Sequence, residues 1–95
     1  MSLTELIKFL NKKGFSNTVQ ILIQFDDHKA EIHEFFDELN KISYYNAFYR
    51  IKDTLIEKGL IAIYRNEGKK YIRLSKKGVI VYEKLVEINA IIKKK

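Results

Sequence analysis

Tyr44, Tyr45, Asn46, Tyr49 and Arg50 place five polar-tipped side chains within seven positions, with Ser43 just before them and Lys52 just after. Each of these types has a use against nucleic acid. The arginine fork matches guanine O6 and N7, and the asparagine amide matches adenine N6 and N7. Tyrosine hydroxyls bond phosphate oxygens while their rings pack on sugars or thymine methyls. A second group, Arg65, Lys69, Lys70 and Arg73, puts four cations within nine positions, where they suit phosphates or a minor groove. Ordinary structural roles compete with these. Tyrosine commonly buries its ring and leaves its hydroxyl wet, Arg50 has Asp53 and Glu57 as ion-pair partners at helical spacing, and lysines blunt an exposed sheet edge.

Other chemistries find little material. The chain has no cysteine, hence no disulfide and no thiolate metal ligand. His28 and His33, near Asp26, Asp27 and Glu34, do not have the spacing of a recognised metal site. There is no paired nucleophile and base and no glycine-rich phosphate loop, so neither enzyme activity nor a cofactor or metal is expected. Charge is unevenly distributed. Residues 1–58 carry eight Lys/Arg against nine Asp/Glu, whereas residues 59–95 carry ten against three, the imbalance of a polyanion-binding face. The acidic run Asp26, Asp27, Glu31, Glu34, Asp37 and Glu38 is then expected to face away from phosphate. No apolar run approaches the ~20 residues of a membrane span, and the first residues lack a signal-peptide layout. The expected location is cytoplasmic, on the nucleoid, with no membrane partner.

The ninety-five residues suit one domain, 1–95. Leu3, Leu6, Ile7 and Leu10 predict a first helix over about 3–13 stopped by Gly14. Asn17 and Gln20 resemble a capping box opening a second helix that ends near Asp27. Ile32, Phe35, Phe36 and Leu39 predict a third helix, ending near Asn40. Phe48, Ile51 and Leu55 predict a fourth, capped by Ser43 or Asn46 and ended by Gly59. Beyond Gly59 the period shortens to two: Leu60–Arg65 and Tyr71–Leu74 predict paired strands turning at Asn66–Lys69. Ser75 caps a last helix whose Val81, Leu85, Ile88 and Ile92 follow coiled-coil spacing, with Tyr82 alongside.

Two helices joined by a short turn, then a basic hairpin and a further helix, form the layout of a winged helix-turn-helix. The fold class expected is α+β and mostly helical: an extra N-terminal helix, a two-stranded wing over about 60–75 and a long dimerisation helix over about 76–93. Phe48 through Ile61 resembles the recognition helix and first wing strand of PadR-like and MarR-like regulators. Lys69 through Gly78 resembles their second wing strand and the entry to their dimerisation helix. The resemblance spans roughly residues 17–92 and implies a homodimer on double-stranded DNA.

The leading expectation is therefore a dimeric, sequence-specific transcriptional regulator. Its recognition helix would use Ser43, Tyr44, Tyr45, Asn46, Tyr49, Arg50 and Lys52, and its wing Arg65, Lys69, Lys70 and Arg73. Its interface would use Leu3, Leu6, Ile7, Leu10, Val81, Tyr82, Leu85, Ile88 and Ile92. An alternative is a DNA-coating partition or chromatin-organising protein, because PadR-like winged helices resemble centromere-binding components of archaeal plasmid partition systems. Its acidic face and basic segment suit side-by-side assembly on DNA. A further alternative is a winged helix used only for protein contacts, which the charge of Arg50, Lys52 and the wing argues against.

Overall fold

The computed structural model describes residues 1–42 and 46–94 in full and the backbone of Tyr45. The N-terminal apolar segment forms two helices, α1 (Leu3–Leu10) and α2 (Lys13–Leu22). Ser2 caps α1 by accepting a hydrogen bond from the Glu5 N–H at 3.1 Å. The chain then breaks to an extended conformation at Lys12, which folds Phe9 back on Phe15 with ring centroids 4.9 Å apart. Gly14 therefore does not stop a helix; it sits in the first turn of α2. Its role is close approach: a Cβ there would overlap the Ala47 carbonyl oxygen and stand 2.6 Å from Ile51 Cγ2. Asn17 also lies inside α2 rather than capping it. The buried Thr18 hydroxyl donates to the Gly14 carbonyl, so its burial leaves no polar group unpaired.

The second helix ends at Leu22, short of Asp27. A 3-10 turn, Asp26–His28, follows, with Asp27 and His28 both at positive φ, 56° and 54°. It leads into a short strand, β1 (Lys29–Glu31), that the sequence pattern does not announce. Only Ala30 of its three residues is buried, too little for an alternation to be read.

Two helices form the middle of the chain, α3 (Ile32–Ile42) and α4 (Tyr45–Glu57). Phe35 and Leu39 of α3 and Phe48, Ile51 and Leu55 of α4 are buried as their spacing requires. Phe48 lies among Phe35, Phe36 and Tyr49, with ring centroids 5.0, 5.7 and 5.8 Å away. Gly59, at φ 71°, ends α4 in a Schellman motif: Leu60 N–H reaches the Leu55 carbonyl at 2.9 Å and Gly59 N–H the Ile56 carbonyl at 3.0 Å.

The hairpin strands are β2 (Ile61–Asn66) and β3 (Lys69–Leu74). Glu67 and Gly68 both have positive φ, 52° and 79°, as a two-residue type I′ turn requires. Antiparallel pairing of Lys29 with Arg73 and of Glu31 with Tyr71 adds β1 to the hairpin, so the sheet has three strands in the order β1-β3-β2. The last helix, α5 (Lys76–Lys93), starts at Ser75, whose hydroxyl accepts from Gly78 N–H at 3.0 Å. Ser75 N–H also donates to the Leu60 carbonyl at 2.9 Å, and Lys77 Nζ to the Lys58 carbonyl at 2.8 Å. Gly78 packs so tightly that a Cβ would overlap the Leu60 carbonyl oxygen. The end of α4 and the start of α5 are thus tied together.

The molecule is α+β and mostly helical, with one apolar core shared by α2, α3, α4 and the inner face of the sheet. Val79, Val81, Tyr82 and Leu85 pack α5 onto that core. Beyond them α5 runs clear of it, which gives the molecule extents of 48 × 25 × 25 Å.

Candidate nucleic-acid interface

The outer face of α4 follows from its buried one. With Phe48, Ile51 and Leu55 turned inward, 3.6-residue periodicity turns Asn46, Tyr49, Arg50, Asp53 and Glu57 outward, and all five are exposed. The expected contacts Ser43 and Tyr44 lie outside the described residues, as does the Tyr45 side chain. Tyr49 is 51% exposed, and its ring stacks on Phe36 of α3 at 5.7 Å and 27°. Lys52 Nζ lies 5.6 Å from the centroid of the same ring. One face of Tyr49 therefore packs while about half of the residue stays exposed. Arg50 forms no ion pair with Asp53 or Glu57 among the described residues, so its guanidinium stays available. Asp53 and Glu57 make the C-terminal half of this face repellent to phosphate, which leaves the N-terminal half as the basic one.

The hairpin divides its four cations between two faces. Side chains alternate along a strand, so Arg65 and Lys70, which pair across the ladder, share the face of Ile63 and Ile72 and project from its tip. Lys69 and Arg73 belong to the outer face with Tyr64 and Tyr71, whose rings stack at 5.7 Å. There each meets an acid, one in β1 and one in the 3-10 turn before it: Lys69 Nζ is 3.1 Å from Glu31 Oε1, and Arg73 Nη2 is 3.1 Å from Asp27 Oδ1. The hydrogen bond and charge of Glu31 hold the Lys69 ammonium above the ordinary lysine range. Glu31 Oε2 is also 3.2 Å from His33 Nδ1. The sequence shows these acids but not their partners, because the pairing depends on β1. Among the described residues no group of three or more His, Cys, Asp or Glu is placed to hold a metal ion.

Lys12 and Lys13, inside or beside a helix end by their sequence, are brought up to Arg50 around one cleft. A pair of lysines immediately before a glycine that must pack closely was the available signal.

The interface residues also divide. Leu10, Val81, Tyr82 and Leu85 are half-buried against their own core. Leu3 at 73%, Ile88 at 49% and Ile92 at 76% are exposed, together with Leu6, Ile7, Ile80, Val86 and Ile91. Leu10 and Phe15 face Tyr82, Leu85 and Val86 across an open, mainly apolar cleft of about 210 Å³. No helix among the described residues is long and apolar enough to cross a membrane. Comparison of the chain with protein-family models, with curated proteins and with solved structures gives no match.

Proposed function

We propose that this chain is a winged helix-turn-helix protein that binds double-stranded DNA as a homodimer and regulates transcription by recognising specific sites. The observation that carries the reading is the exposed N-terminal half of α4, with Asn46, Tyr49 and Arg50, in a chain that also presents a hairpin whose tip offers Arg65 and Lys70. A helix of this diameter fits a major groove, and a basic hairpin tip fits the adjoining backbone or minor groove. The dimer rests on the apolar side chains that α1 and the outer half of α5 leave in water, at spacing suited to a helix partner. Selection of bound sites from random duplexes, with the footprint recorded, tests the reading. A pseudo-palindrome with half-sites about 10 base pairs apart is expected. No enrichment refutes site-specific recognition, and protection extending far beyond a short site favours the coating alternative.

Arg50→Ala should cost about 1–3 kcal/mol on the selected site and relax one base position, as the loss of a bidentate contact does. Arg50 is exposed and forms no ion pair among the described residues, so thermal stability should not change. Titration with repeated site selection measures both; an unchanged preference removes Arg50 from base reading.

The two faces of the hairpin predict unequal effects. Arg65→Ala with Lys70→Ala should weaken specific and random duplexes alike and flatten the dependence of log affinity on log salt by about 1 to 2. Lys69→Ala should do much less, because Glu31 already engages that ammonium. Equal losses in salt-dependent titrations would place the duplex on the outer face instead.

A further inference from the structure

Lys12, Lys13 and Arg50 line one cleft of about 340 Å³, whose remaining walls are Gly14, Ala47 and Ile51. The lining holds three cations and no carboxylate. All three side chains are exposed, and none forms an ion pair among the described residues. Like charges converging on one cleft repel each other, and an anion seated between them is attracted by all three. The floor is favourable too. The first turn of α2, which lies at that floor, has neither an acidic residue nor a side-chain cap. As first-turn residues of α2, Lys13 and Gly14 donate no backbone hydrogen bond found among the described residues.

Arg50 links this cleft to α4, since it lies on the face proposed to enter the groove and also lines the cleft. Phosphates run along both rims of a groove. A cleft open to solvent and flanking the recognition helix on its α2 side therefore lies where a strand passes.

We infer that Lys12 and Lys13, in the cleft they share with Arg50, bind a backbone phosphate of the duplex beside the groove that α4 enters. This rests on the DNA-binding reading and extends it: the duplex is gripped from both flanks of α4, by the α1–α2 junction as well as by the hairpin. The two lysines position the strand and carry no base preference, as contacts to phosphate do, while Arg50 reaches on into the groove.

The test compares the chain with its Lys12→Ala/Lys13→Ala variant on the selected site and on a random duplex of the same length. Affinity should fall by at least about tenfold on both, with the salt dependence flattened by about 1 to 2 and site preference retained. The Lys12→Arg/Lys13→Arg variant should restore most of the loss. Both lysines are exposed, so the melting curve should be unaltered, which separates lost binding from lost folding. Unchanged affinity and salt dependence in the alanine variant, beside a wild type that binds, overturns the inference and leaves the DNA reading intact. A wild type that binds no duplex overturns both. Titrations followed at the Lys13 and Gly14 amides add a third arm: a response to duplex supports the site. A response to inorganic phosphate but not to duplex overturns it in favour of a small-anion site.

Discussion

Ile88→Lys with Ile92→Lys should give a folded monomer whose affinity for the selected site falls by about a hundredfold to ten-thousandfold, with Arg50 and the hairpin untouched. The size follows from losing the second half-site, which a dimer engages at high effective concentration. These two positions are chosen because they are exposed within their own chain, so a charge there removes no contact with the core. Leu85 would be a poorer choice: it packs α5 against the core, and a charge at that position would test folding and association together. Two lysines also add to the positive charge of Lys93 and Lys94, so approach of a second α5 meets repulsion along its outer end. Sedimentation beside a DNA titration decides the matter. A dimer of undiminished affinity would move the interface to Leu3, Leu6 and Ile7 on α1.

Phe48→Ala should destabilise the fold by about 3–5 kcal/mol, the usual cost of emptying a buried aromatic position. The side chain is fully buried and lies where the rings of Phe35, Phe36 and Tyr49 meet, so no exposed group can collapse into the space without moving α3 against α4. For a domain of this size the midpoint of thermal unfolding should fall by more than about 12 °C. At a temperature where the variant remains folded, its affinity for DNA should stay close to that of the wild type, because Phe48 faces the core and not the exposed side of α4. Calorimetry and titration therefore separate it from Arg50→Ala, which leaves the melt alone and weakens binding. A melt lowered by only a few degrees would show that this aromatic cluster does not hold α4 in place.

Much of this architecture could be read from the sequence, and particular residues show why. The spacing of Phe48, Ile51 and Leu55 sets the inner face of α4 and with it the outer one. Gly59 ends that helix because only a left-handed residue closes the Schellman motif, and the hairpin follows from alternation on both sides of Glu67-Gly68. Gly14 reads as a helix stop in the sequence because a glycine that stops a helix and one that lets two helices touch look alike until the second helix is in place. The strand β1 escaped detection because a single buried alanine carries no period. That omission propagated to the site: without β1, nothing in the sequence opposes Glu31 to Lys69 or brings Asp27 near Arg73. Four hairpin cations therefore appear equivalent in the sequence and separate into two pairs in the fold. Lys12 and Lys13 were passed over for the same kind of reason, since their relation to Arg50 is made by the crossing of α2 and α4.

The joint at Ser75 means that α4 cannot tilt independently of α5. Ser75 N–H holds the Leu60 carbonyl, Lys77 holds that of Lys58, and Gly78 lies against the backbone that follows α4. In the proposed dimer the two halves therefore work as stiff calipers, with the crossing of the α5 helices as the hinge and the α4 helices as the tips. At a lever arm on the order of 20 Å, a change of about 10° in that crossing displaces each tip by about 3.5 Å, roughly one base-pair rise. In such a dimer the half-site separation would be set at the exposed outer end of α5, around Ile88, Ile91 and Ile92, far from any base.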